Sequence, residues 1–573
     1  MTSVRIFSVF IAVGISVGGT GQAADGVAGP YLAGRVASIQ SDYAAAADYF
    51  ARSLVGDPTN TQLMENAILS QIGMGEFDRA LTIAKGLDAA KVKSGLADLA
   101  VLASLAKQGQ YDAAIAELDK GRSAGALLDG LYRGWAKLGG GQMSEAATAF
   151  DEVAKQKGLG GFALYHKALA LASVGDFEGA DKILSGDEAG PLRATRRSVI
   201  AHAEVLSQLE RNKDAVELID KLFGTSLDPT VSAMRADLEA GKTVPFTLIS
   251  GPVDGLAEVF YSVAAALSED GPGVGQSSNA DVLMFSRAAI YLRPDLSEAV
   301  LLAASNLEAQ GQHDMAIAAY QLIKPGTPAY VAASLGRVDA LIADDRSDAA
   351  IEALEQLAQS QPDLIEVWVS LGDTLRQNER FVDAIAAYDA AVALIDKPLP
   401  DHWVVFYARG ICHERQKTWD KAEADFRKAL ELSPDQPQVL NYLGYSYLEK
   451  NTNLDEAMSM IERAAKARPE EGAIIDSLGW ALYRLGRYPE AEVQMERAIQ
   501  LMPVDPVVND HLGDVYWAVG RRREAEFQWK RALSFKPETE DEAARIRRKL
   551  DVGLDTVLQE EGAEPLAVGA NGG

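Results

Sequence analysis

A short motif recurs in the C-terminal half of the chain at a nearly constant interval. Its Leu-Gly pairs end at Gly444, Gly479 and Gly513, so successive copies are 35 and 34 residues apart. An alanine, a bulky residue, a second alanine and a proline then follow each pair: Ala457, Ile461, Ala464 and Pro469; Ala491, Met495, Ala498 and Pro503; Ala525, Trp529, Ala532 and Pro537. A unit this short cannot bury its apolar surface alone, so the copies must stack on one another. The repeat therefore predicts one continuous array rather than several independent globules.

The pattern resembles the tetratricopeptide repeat family. The resemblance implies an all-α, right-handed superhelical solenoid in which each repeat is a helix–turn–helix pair. Glycine and alanine would lie where the two helices approach closely, and proline would end the second helix because it lacks an amide donor. The segments NYLGYSYLEK and DSLGWALYRLGRYPEAE also resemble exported tetratricopeptide proteins of alphaproteobacteria.

The same frame continues towards the N-terminus with weaker matches. The equivalent first-helix positions are Gly34, Ile68, Leu102, Gly134, Ala168 and Ala203 in the N-terminal half, and Ala304, Gly336, Gly372 and Gly410 ahead of the three clear copies. Six repeats thus precede an irregular region and seven follow it. One atypical repeat within that region brings the prediction to about 14 repeats.

The irregular region lies between Ala203 and Ala304. Its two predicted helices, at 253–267 and 280–292, are flanked by stretches rich in Gly, Pro and Ser at 241–255 and 268–279. These stretches indicate either a joint between two subarrays or a surface feature used for binding. The predicted organisation is a degenerate array at 24–224, the joint at 225–294, a second array at 295–537, a solvated capping helix at 538–559 and a flexible tail at 560–573.

Residues 1–23 have the features of a secretory signal peptide. Arg5 precedes an apolar run at 6–18, and small residues at 21 and 23 suit a cleavage site. The run is shorter than the roughly 20 residues that span a membrane comfortably, although an uncleaved anchor is the alternative. We expect export to the periplasm of a Gram-negative bacterium.

Composition argues against several classes of function. The chain has 55 Lys and Arg against 82 Asp and Glu, a net charge of −27, which disfavours nucleic acid as a partner. A single cysteine, Cys412, excludes an intrachain disulfide and any cysteine-based metal cluster. The six histidines lack ligand spacing, and we find no catalytic, cofactor or metal motif. The sequence therefore predicts a protein that is not an enzyme and that binds no cofactor.

The resemblance also implies where a partner would bind, because first helices line the concave face of such stacks. In that frame the inward residues form an aromatic strip edged with carboxylates: Tyr407, Asn441, Tyr445, Asp476, Trp480, Tyr483, Arg484, Asp510, Asp514 and Trp517. Aromatic side chains give large contact areas at low entropic cost, and carboxylates would orient a basic or amide-rich partner. The alternative is that these aromatics only pack between neighbouring helices. A clamp for a C-terminal carboxylate is disfavoured, because Asp476 and Asp510 stand where such a clamp needs basic or amide groups.

The C-terminus carries the one basic cluster. Its members are Arg521, Arg522, Arg523, Arg545, Arg548 and Lys549. The cluster is either a solvated cap balanced by neighbouring acids or a patch for docking to an anionic surface.

These features predict a non-catalytic periplasmic scaffold that binds protein or peptide segments and supports assembly of an envelope complex. Peripheral association with the envelope would fit this role. A subunit of a polysaccharide- or pilus-export apparatus is the alternative within the binding class, and an enzyme or its regulatory subunit is the alternative outside it.

Overall fold

A computed structural model describes residues 28–187, 194–224, 228–269, 276–563 and 566. Within them the chain forms thirty-one α-helices and one short 3₁₀ helix, and no β-strand. The predicted all-α class is therefore confirmed. The predicted signal peptide and most of the predicted tail lie outside the described residues. The chain divides into two compact units between Arg346 and Ser347.

Unit 1 contains the first eighteen helices. They are α1 (Ala28–Ile39), α2 (Tyr43–Gly56), α3 (Thr61–Gly73), α4 (Phe77–Ala89), α5 (Gly95–Lys107), α6 (Tyr111–Asp119), α7 (Ala126–Gly139), α8 (Met143–Ala154), α9 (Gly160–Ser173), α10 (Phe177–Leu184), α11 (Arg196–Gln208), α12 (Asn212–Phe223), α13 (Pro229–Glu239), α14 (Pro252–Glu269), α15 (Gln276–Leu292), α16 (Ser297–Ala309), α17 (His313–Tyr320) and α18 (Tyr330–Ala343).

Unit 2 contains the remaining helices. They are α19 (Ser347–Ser360), α20 (Ile365–Gln377), α21 (Phe381–Ala393), α22 (Trp403–Arg415), α23 (Trp419–Leu432), α24 (Pro437–Glu449), α25 (Leu454–Ala467), α26 (Gly472–Arg484), α27 (Tyr488–Leu501), α28 (Pro506–Ala518), α29 (Arg522–Ser534), α30 (Glu540–Val552) and α31 (Leu554–Glu560), with the 3₁₀ helix at Pro400–His402. Eight antiparallel pairs lie within unit 1 and five within unit 2. The repeat predicted around Gly336 is divided, since α18 ends unit 1 and α19 begins unit 2.

The glycines of the repeat lie where the two helices of a pair come closest. A Cβ added at Gly410 would stand 2.7 Å from the ring of Phe426, and one at Gly444 would stand 3.1 Å from the backbone oxygen of Ala457. Real Cβ contacts are almost never shorter than 3.0 Å, and 3.1 Å is tighter than most of them, so the pairs pack this closely because these positions lack a side chain. Phe426 is fully buried as a result. The close approach predicted for these glycines is confirmed.

The atypical repeat is a buried element of unit 1. Its helices, α14 and α15, pack against the first helices α3, α5, α7 and α9. Arg287 Nε donates to the backbone oxygen of Gly73 at 3.0 Å, and the ring of Tyr291 stacks on Phe77 with centroids 4.6 Å apart. Phe260 in α14 and Leu283 in α15 are fully buried. The hairpin therefore covers the side of these repeats that their first helices present.

The boundaries of this region differ from the prediction. The helices extend to Glu269 and begin again at Gln276, so the predicted loop at 268–279 is helical at both ends, and its centre at 270–275 lies outside the described residues. Helix α13 was not predicted; the Asp228 side chain caps it by accepting from the amides of residues 230 and 231. The irregular backbone that follows is held by the buried Glu204 carboxylate, which accepts from the amides of Thr247 and Leu248.

The C-terminal cap is two helices, and the prediction of one solvated helix over 538–559 is wrong. Gly553 has φ of 84°, a conformation that glycine adopts without strain, and it separates α30 from α31. Ile546, Leu554 and Val557 are buried, so the cap packs onto the last repeat instead of standing in solvent. No helix of the described residues is both long and apolar enough to span a bilayer.

Candidate functional site

A cavity of about 590 Å³ lies on the face of unit 2 that the first helices α22, α24 and α26 present, and we name it the large cavity. Helix α24 contributes Asn441, Tyr445 and Glu449, which lie on one side of the helix because four residues complete slightly more than one turn. Glu414 of α22 and Asp476 of α26 complete the polar wall. Three residues of the predicted strip, Asn441, Tyr445 and Asp476, therefore meet in one place.

The carboxylates of this wall link successive first helices. Tyr442 donates its hydroxyl to Glu414 Oε2 at 3.3 Å, and Trp480 donates its indole N–H to Glu449 Oε1 at 3.0 Å. Arg484 reaches the same Glu449 oxygen at 3.5 Å. Among the described residues, the second oxygen of each carboxylate has no hydrogen-bond partner. Both groups therefore stabilise the stack and still offer one free acceptor to a ligand.

Tyr445 lies at the centre of this acidic wall. Burial raises the pKa of its hydroxyl, and the nearby carboxylates of Glu449 and Asp476 raise it further. The hydroxyl is therefore neutral at physiological pH and able to donate a hydrogen bond. The Oδ1 atom of Asn441 is buried and accepts no hydrogen bond from the described part of the chain.

A small cavity of about 300 Å³ lies next to the large one, between α20 and α22. Its wall contains Tyr407, the strip residue furthest towards the N-terminus, together with Val404 and Ile411. The ring of Tyr407 meets that of Tyr442 edge-on, with centroids 5.9 Å apart. Since Tyr442 lines the large cavity, these two rings form the wall between the cavities.

Four residues of the predicted strip are buried in the helix packing. Trp480 is only 9% exposed, and its ring stacks between Tyr483 and His511 at centroid distances of 4.8 and 4.0 Å. Asp476 is buried against His511, whose Nδ1 lies 3.1 Å from both carboxylate oxygens. Asp514 is buried as well. Trp480 and Tyr483 therefore pack between neighbouring helices and do not line the large cavity.

Burial and charge oppose each other at His511. Burial lowers the pKa of the imidazole, but the adjacent Asp476 carboxylate outweighs it, so the pKa is raised above 6.5. This pair joins α26 to α28 in the same way that Glu414 and Glu449 join earlier helices.

The inward face of the last repeat is covered by the cap. The ammonium group of Lys549 is fully buried and lies 2.7 to 2.9 Å from the carboxylate oxygens of Asp510 and Asp514. Trp529 donates its indole N–H to Asp514, and Trp517 donates to Asp555 of α31. Asp510, Asp514 and Trp517 therefore hold the cap in place. The prediction that Lys549 belongs to an exposed basic patch is wrong, because its buried ammonium group turns inward and pairs with Asp510 and the buried Asp514.

The arginines of the basic cluster pair with neighbouring acids. Arg521 binds Glu492 and Glu496 at 2.6 and 2.9 Å, Arg545 binds Glu561 at 2.7 Å, and Arg548 binds Glu560 at 2.5 Å. Arg522 lies over the ring of Trp517, and Arg523 is exposed. Docking to an anionic surface stays a prediction for these exposed guanidinium groups.

Sequence reasoning missed Glu449, Lys450 and Asp505 in the large cavity. Glu449 could have been found, because it lies four residues after Tyr445 and continues the inward frame by one turn. Asp505 precedes α28 and caps it by accepting from the amides of Val507 and Val508, so no helical frame includes it. Within the described residues, no group of three or more His, Cys, Asp or Glu side chains is arranged to hold a metal ion. The absence of a cofactor or catalytic site stays a prediction.

Comparison with known proteins gives matches to repeat proteins. The tetratricopeptide repeat family matches residues 301–365, 335–397, 369–437 and 443–506. The TPR repeat-containing protein PA4667 of Pseudomonas aeruginosa is 30% identical over 186 residues, which are 32% of this chain and 31% of that protein. The E3 ubiquitin-protein ligase CHIP of Arabidopsis thaliana is 37% identical over 79 residues, 14% of this chain and 27% of the ligase. The chain thus spans about a third or less of the length of these relatives.

Two solved structures also match the chain. A chain of the APC/C hetero-tetramer Cut9-Hcn1 matches with a TM-score of 0.37 and 15% identity, over 92% of this chain and 96% of that chain. MamA AMB-1 matches with a TM-score of 0.25 and 24% identity, over 29% of this chain and 96% of that chain. The narrower resemblance to exported alphaproteobacterial proteins stays a prediction. The tetratricopeptide repeat family thus matches residues 301–437 and 443–506, a part of the chain that the structure shows as paired helices.

Proposed function

We propose that the protein is a non-catalytic scaffold that binds polypeptide segments in the large cavity of unit 2. The observation that supports this most directly is the cavity itself. Helix α24 exposes Asn441, Tyr445 and Glu449 to one space, and the neighbouring first helices α22 and α26 add Glu414 and Asp476, so hydrogen-bonding groups stand beside an aromatic ring. A peptide backbone needs both donors and acceptors along its length, and this wall supplies them.

The packing of unit 1 limits binding to unit 2. The hairpin α14–α15 occupies the face of α3, α5, α7 and α9 that would otherwise form a groove. Its contacts include the buried ion pair between Arg197 and Glu258, which a partner would have to break before entering. We therefore expect no polypeptide to bind on that face.

A steric block tests the proposal without removing any native contact. Ala473 lines the large cavity and is exposed, so Ala473→Trp fills the space while the helices stay intact. Ala424 is exposed on the second helix α23 and is absent from the cavity wall, so Ala424→Trp is the matched control. Peptides are first selected on the wild-type full chain from a phage-displayed random library. Their affinities for both variants are then measured by fluorescence polarisation.

We expect Ala473→Trp to weaken the selected peptides at least tenfold and Ala424→Trp to leave them unchanged. Equal affinity for the two variants would place the binding site elsewhere. Failure of the library to yield any binder would count against polypeptide binding itself. Circular dichroism melting of both variants shows whether each one is folded.

We also propose that the protein acts in the periplasm, where it supports assembly of an envelope complex. This proposal depends on the pattern of residues 1–23 and on the scaffold role. Fractionation of the source cells and N-terminal sequencing of the chain test it. Recovery of the chain from the periplasmic fraction, starting near residue 24, would support it, and recovery from the cytosol with Met1 retained would refute it.

A further inference from the structure

We propose that the segment bound by unit 2 carries an apolar residue and a lysine or arginine about three positions apart. The small cavity takes the apolar side chain and the large cavity takes the basic one. This inference rests on the proposed function, since it names the chemistry of the polypeptide that the same groove binds.

The small cavity suits an apolar side chain because its charged groups neutralise each other. Arg376 lies 3.3 Å from Asp373, and the hydroxyl of Tyr388 donates to the same Asp373 oxygen at 2.7 Å. The remaining wall is aliphatic, with Val404 43% exposed and Ile411 beside it. These charged groups already pair with each other, and an apolar side chain entering the cavity would cover Val404.

The large cavity has more acidic than basic side chains in its wall. Its wall holds four carboxylates, Glu414, Glu449, Asp476 and Asp505, against two cationic residues, Arg415 and Lys450. The ammonium group of Lys450 lies 4.7 Å from the centre of the Trp419 ring on α23. Arg415 Nε lies 3.9 Å from Glu414 Oε2, the oxygen that also accepts from Tyr442, and the Arg415 side chain is mostly exposed.

A ligand can reach the excess of carboxylates in the large cavity through oxygens that have no partner in the described part of the chain. Glu414 and Glu449 each use one carboxylate oxygen within the described residues and leave the other without a hydrogen-bond partner. A primary ammonium or guanidinium group satisfies several such acceptors at once. An ionised acidic side chain or an apolar one would leave them without a donor.

The chain itself shows that this face can hold a lysine. Lys549 lies between Asp510 and Asp514 on the inward side of α28, with its ammonium group within 2.9 Å of four carboxylate oxygens. Asp510 occupies the position in its repeat that Asp476 and Asn441 occupy in theirs. A basic side chain in the large cavity would therefore repeat, on earlier helices, a contact that the last repeat makes within the molecule.

The distance between the cavities sets the spacing of the two residues. Both cavities include residues of α22, and the ring of Tyr407 in the small cavity contacts that of Tyr442 in the large one. Packed helices have axes about 8–10 Å apart. An extended chain advances about 3.3 Å per residue, so about three residues separate side chains that enter adjacent cavities.

The test uses the peptides selected on the wild-type full chain. We expect them to be enriched in an aliphatic residue followed or preceded at about three positions by Lys or Arg. The variant Glu414→Gln/Glu449→Gln removes both charges but keeps an acceptor for Tyr442 and Trp480. Glu431→Gln, on the exposed face of α23, is the matched control. Val404→Asp tests the small cavity.

For a selected peptide, the double variant should lower the affinity about tenfold or more, which corresponds to the loss of a charge-assisted hydrogen bond. The same peptide with its basic residue changed to Ser should bind the wild type and the double variant equally. Val404→Asp should weaken the peptide with the aliphatic residue and spare its Ser counterpart. Glu431→Gln should leave the affinity for each peptide unchanged.

Two failures are distinguishable. Peptides that bind the large cavity, as shown by the Ala473→Trp block, but lack a basic residue or ignore Glu414→Gln/Glu449→Gln would overturn this inference and leave the proposed function standing. An absence of any selected peptide would overturn both.

Discussion

The buried ion pair between Arg197 of α11 and Glu258 of α14 holds the central hairpin in unit 1. The guanidinium of Arg197 donates from Nε and Nη2 to the two oxygens of Glu258 at 3.0 and 2.6 Å, and the hydroxyl of Tyr165 donates to the same carboxylate at 2.9 Å. The two charged side chains are 7% and 1% exposed. We predict that Glu258→Gln destabilises unit 1 strongly.

The size of this loss in the free energy of unfolding follows from the cost of burying a charge without its partner. Removing one member of a buried pair costs about 3–5 kcal/mol. Arg197 keeps a second acceptor, because Glu298 lies 2.9 Å from its Nη1 atom and is partly exposed. We therefore expect a loss of about 3 kcal/mol for Glu258→Gln. The double variant Arg197→Met/Glu258→Leu replaces both charges with apolar groups and should lose much less.

Hydrogen exchange of the full chain in increasing urea measures this loss by region. Amides of α11 and α14 should lose protection at lower urea in Glu258→Gln, while those of α26 and α28 in unit 2 should keep theirs. The variant Glu431→Gln provides a control for the loss of a carboxylate at the surface. A cost below about 1 kcal/mol, or a double variant as unstable as the single one, would refute the reasoning.

The same pair predicts how unit 1 responds to acid. Burial raises the pKa of Glu258, but the Arg197 guanidinium outweighs it, so the folded-state pKa lies below 4.5. A carboxylate whose pKa is lower in the folded than in the unfolded state stabilises the fold at pH values above its unfolded-state pKa. This stabilisation is lost as the pH falls through the folded-state pKa. Unfolding of unit 1 should therefore become easier as the pH falls below about 4.5. Glu258→Gln should flatten that dependence, and an unchanged slope would show that other groups cause it.

Three further predictions concern unit 2. The pKa of His511 is raised beside Asp476, so protonated His511 stabilises the folded state below pH 6.5 and this stabilisation is lost as the pH rises through the folded-state pKa. The urea midpoint of unfolding should therefore fall over that pH range in the wild type. It should stay level in His511→Asn. Gly410→Ala forces a methyl group against the ring of Phe426 and should lower the free energy of unfolding, measured in heat or urea, by about 1–3 kcal/mol. A loss near zero would mean that the two helices can move apart freely. Lys549→Met removes the ammonium group that pairs with Asp510 and with the buried Asp514, and it leaves Asp514 with the more distant Arg545, 3.7 Å away. The variant should expose α30 to limited proteolysis at a urea concentration at which the wild type resists. Equal resistance would contradict the stabilising role of Lys549.

The pairing of helices could be predicted from sequence because its determinants are local. The period of about 34 residues, the glycines at 410 and 444 and the prolines after each second helix all act within one repeat. Helix ends were less predictable in the joint, where Asp228 and Glu204 hold backbone that has no repeat pattern.

The fold of the central hairpin could not be predicted in this way. Its contacts join residues far apart in sequence, such as Arg287 with Gly73, which are separated by 214 positions. The periodicity of α14 and α15 indicates two amphipathic helices but not which surface buries them. The face that α3, α5, α7 and α9 present is therefore covered by the chain itself.

The inward strip was predicted at the level of helix faces but not of individual side chains. Asn441, Tyr445 and Asp476 line the large cavity, whereas Trp480 turns into the contact with His511 on the next first helix. Both groups occupy inward positions in the sequence frame. The difference arises from the neighbouring helix, since a large ring next to a histidine gains more by stacking than by facing solvent.

Hydrogen exchange of the full chain with and without a selected peptide tests the central claim most directly. If polypeptides bind the large cavity, saturating peptide should protect amides of α22, α24 and α26 and leave α3, α5 and α7 unchanged. Protection confined to α3, α5 and α7, with none at α24, would contradict the account.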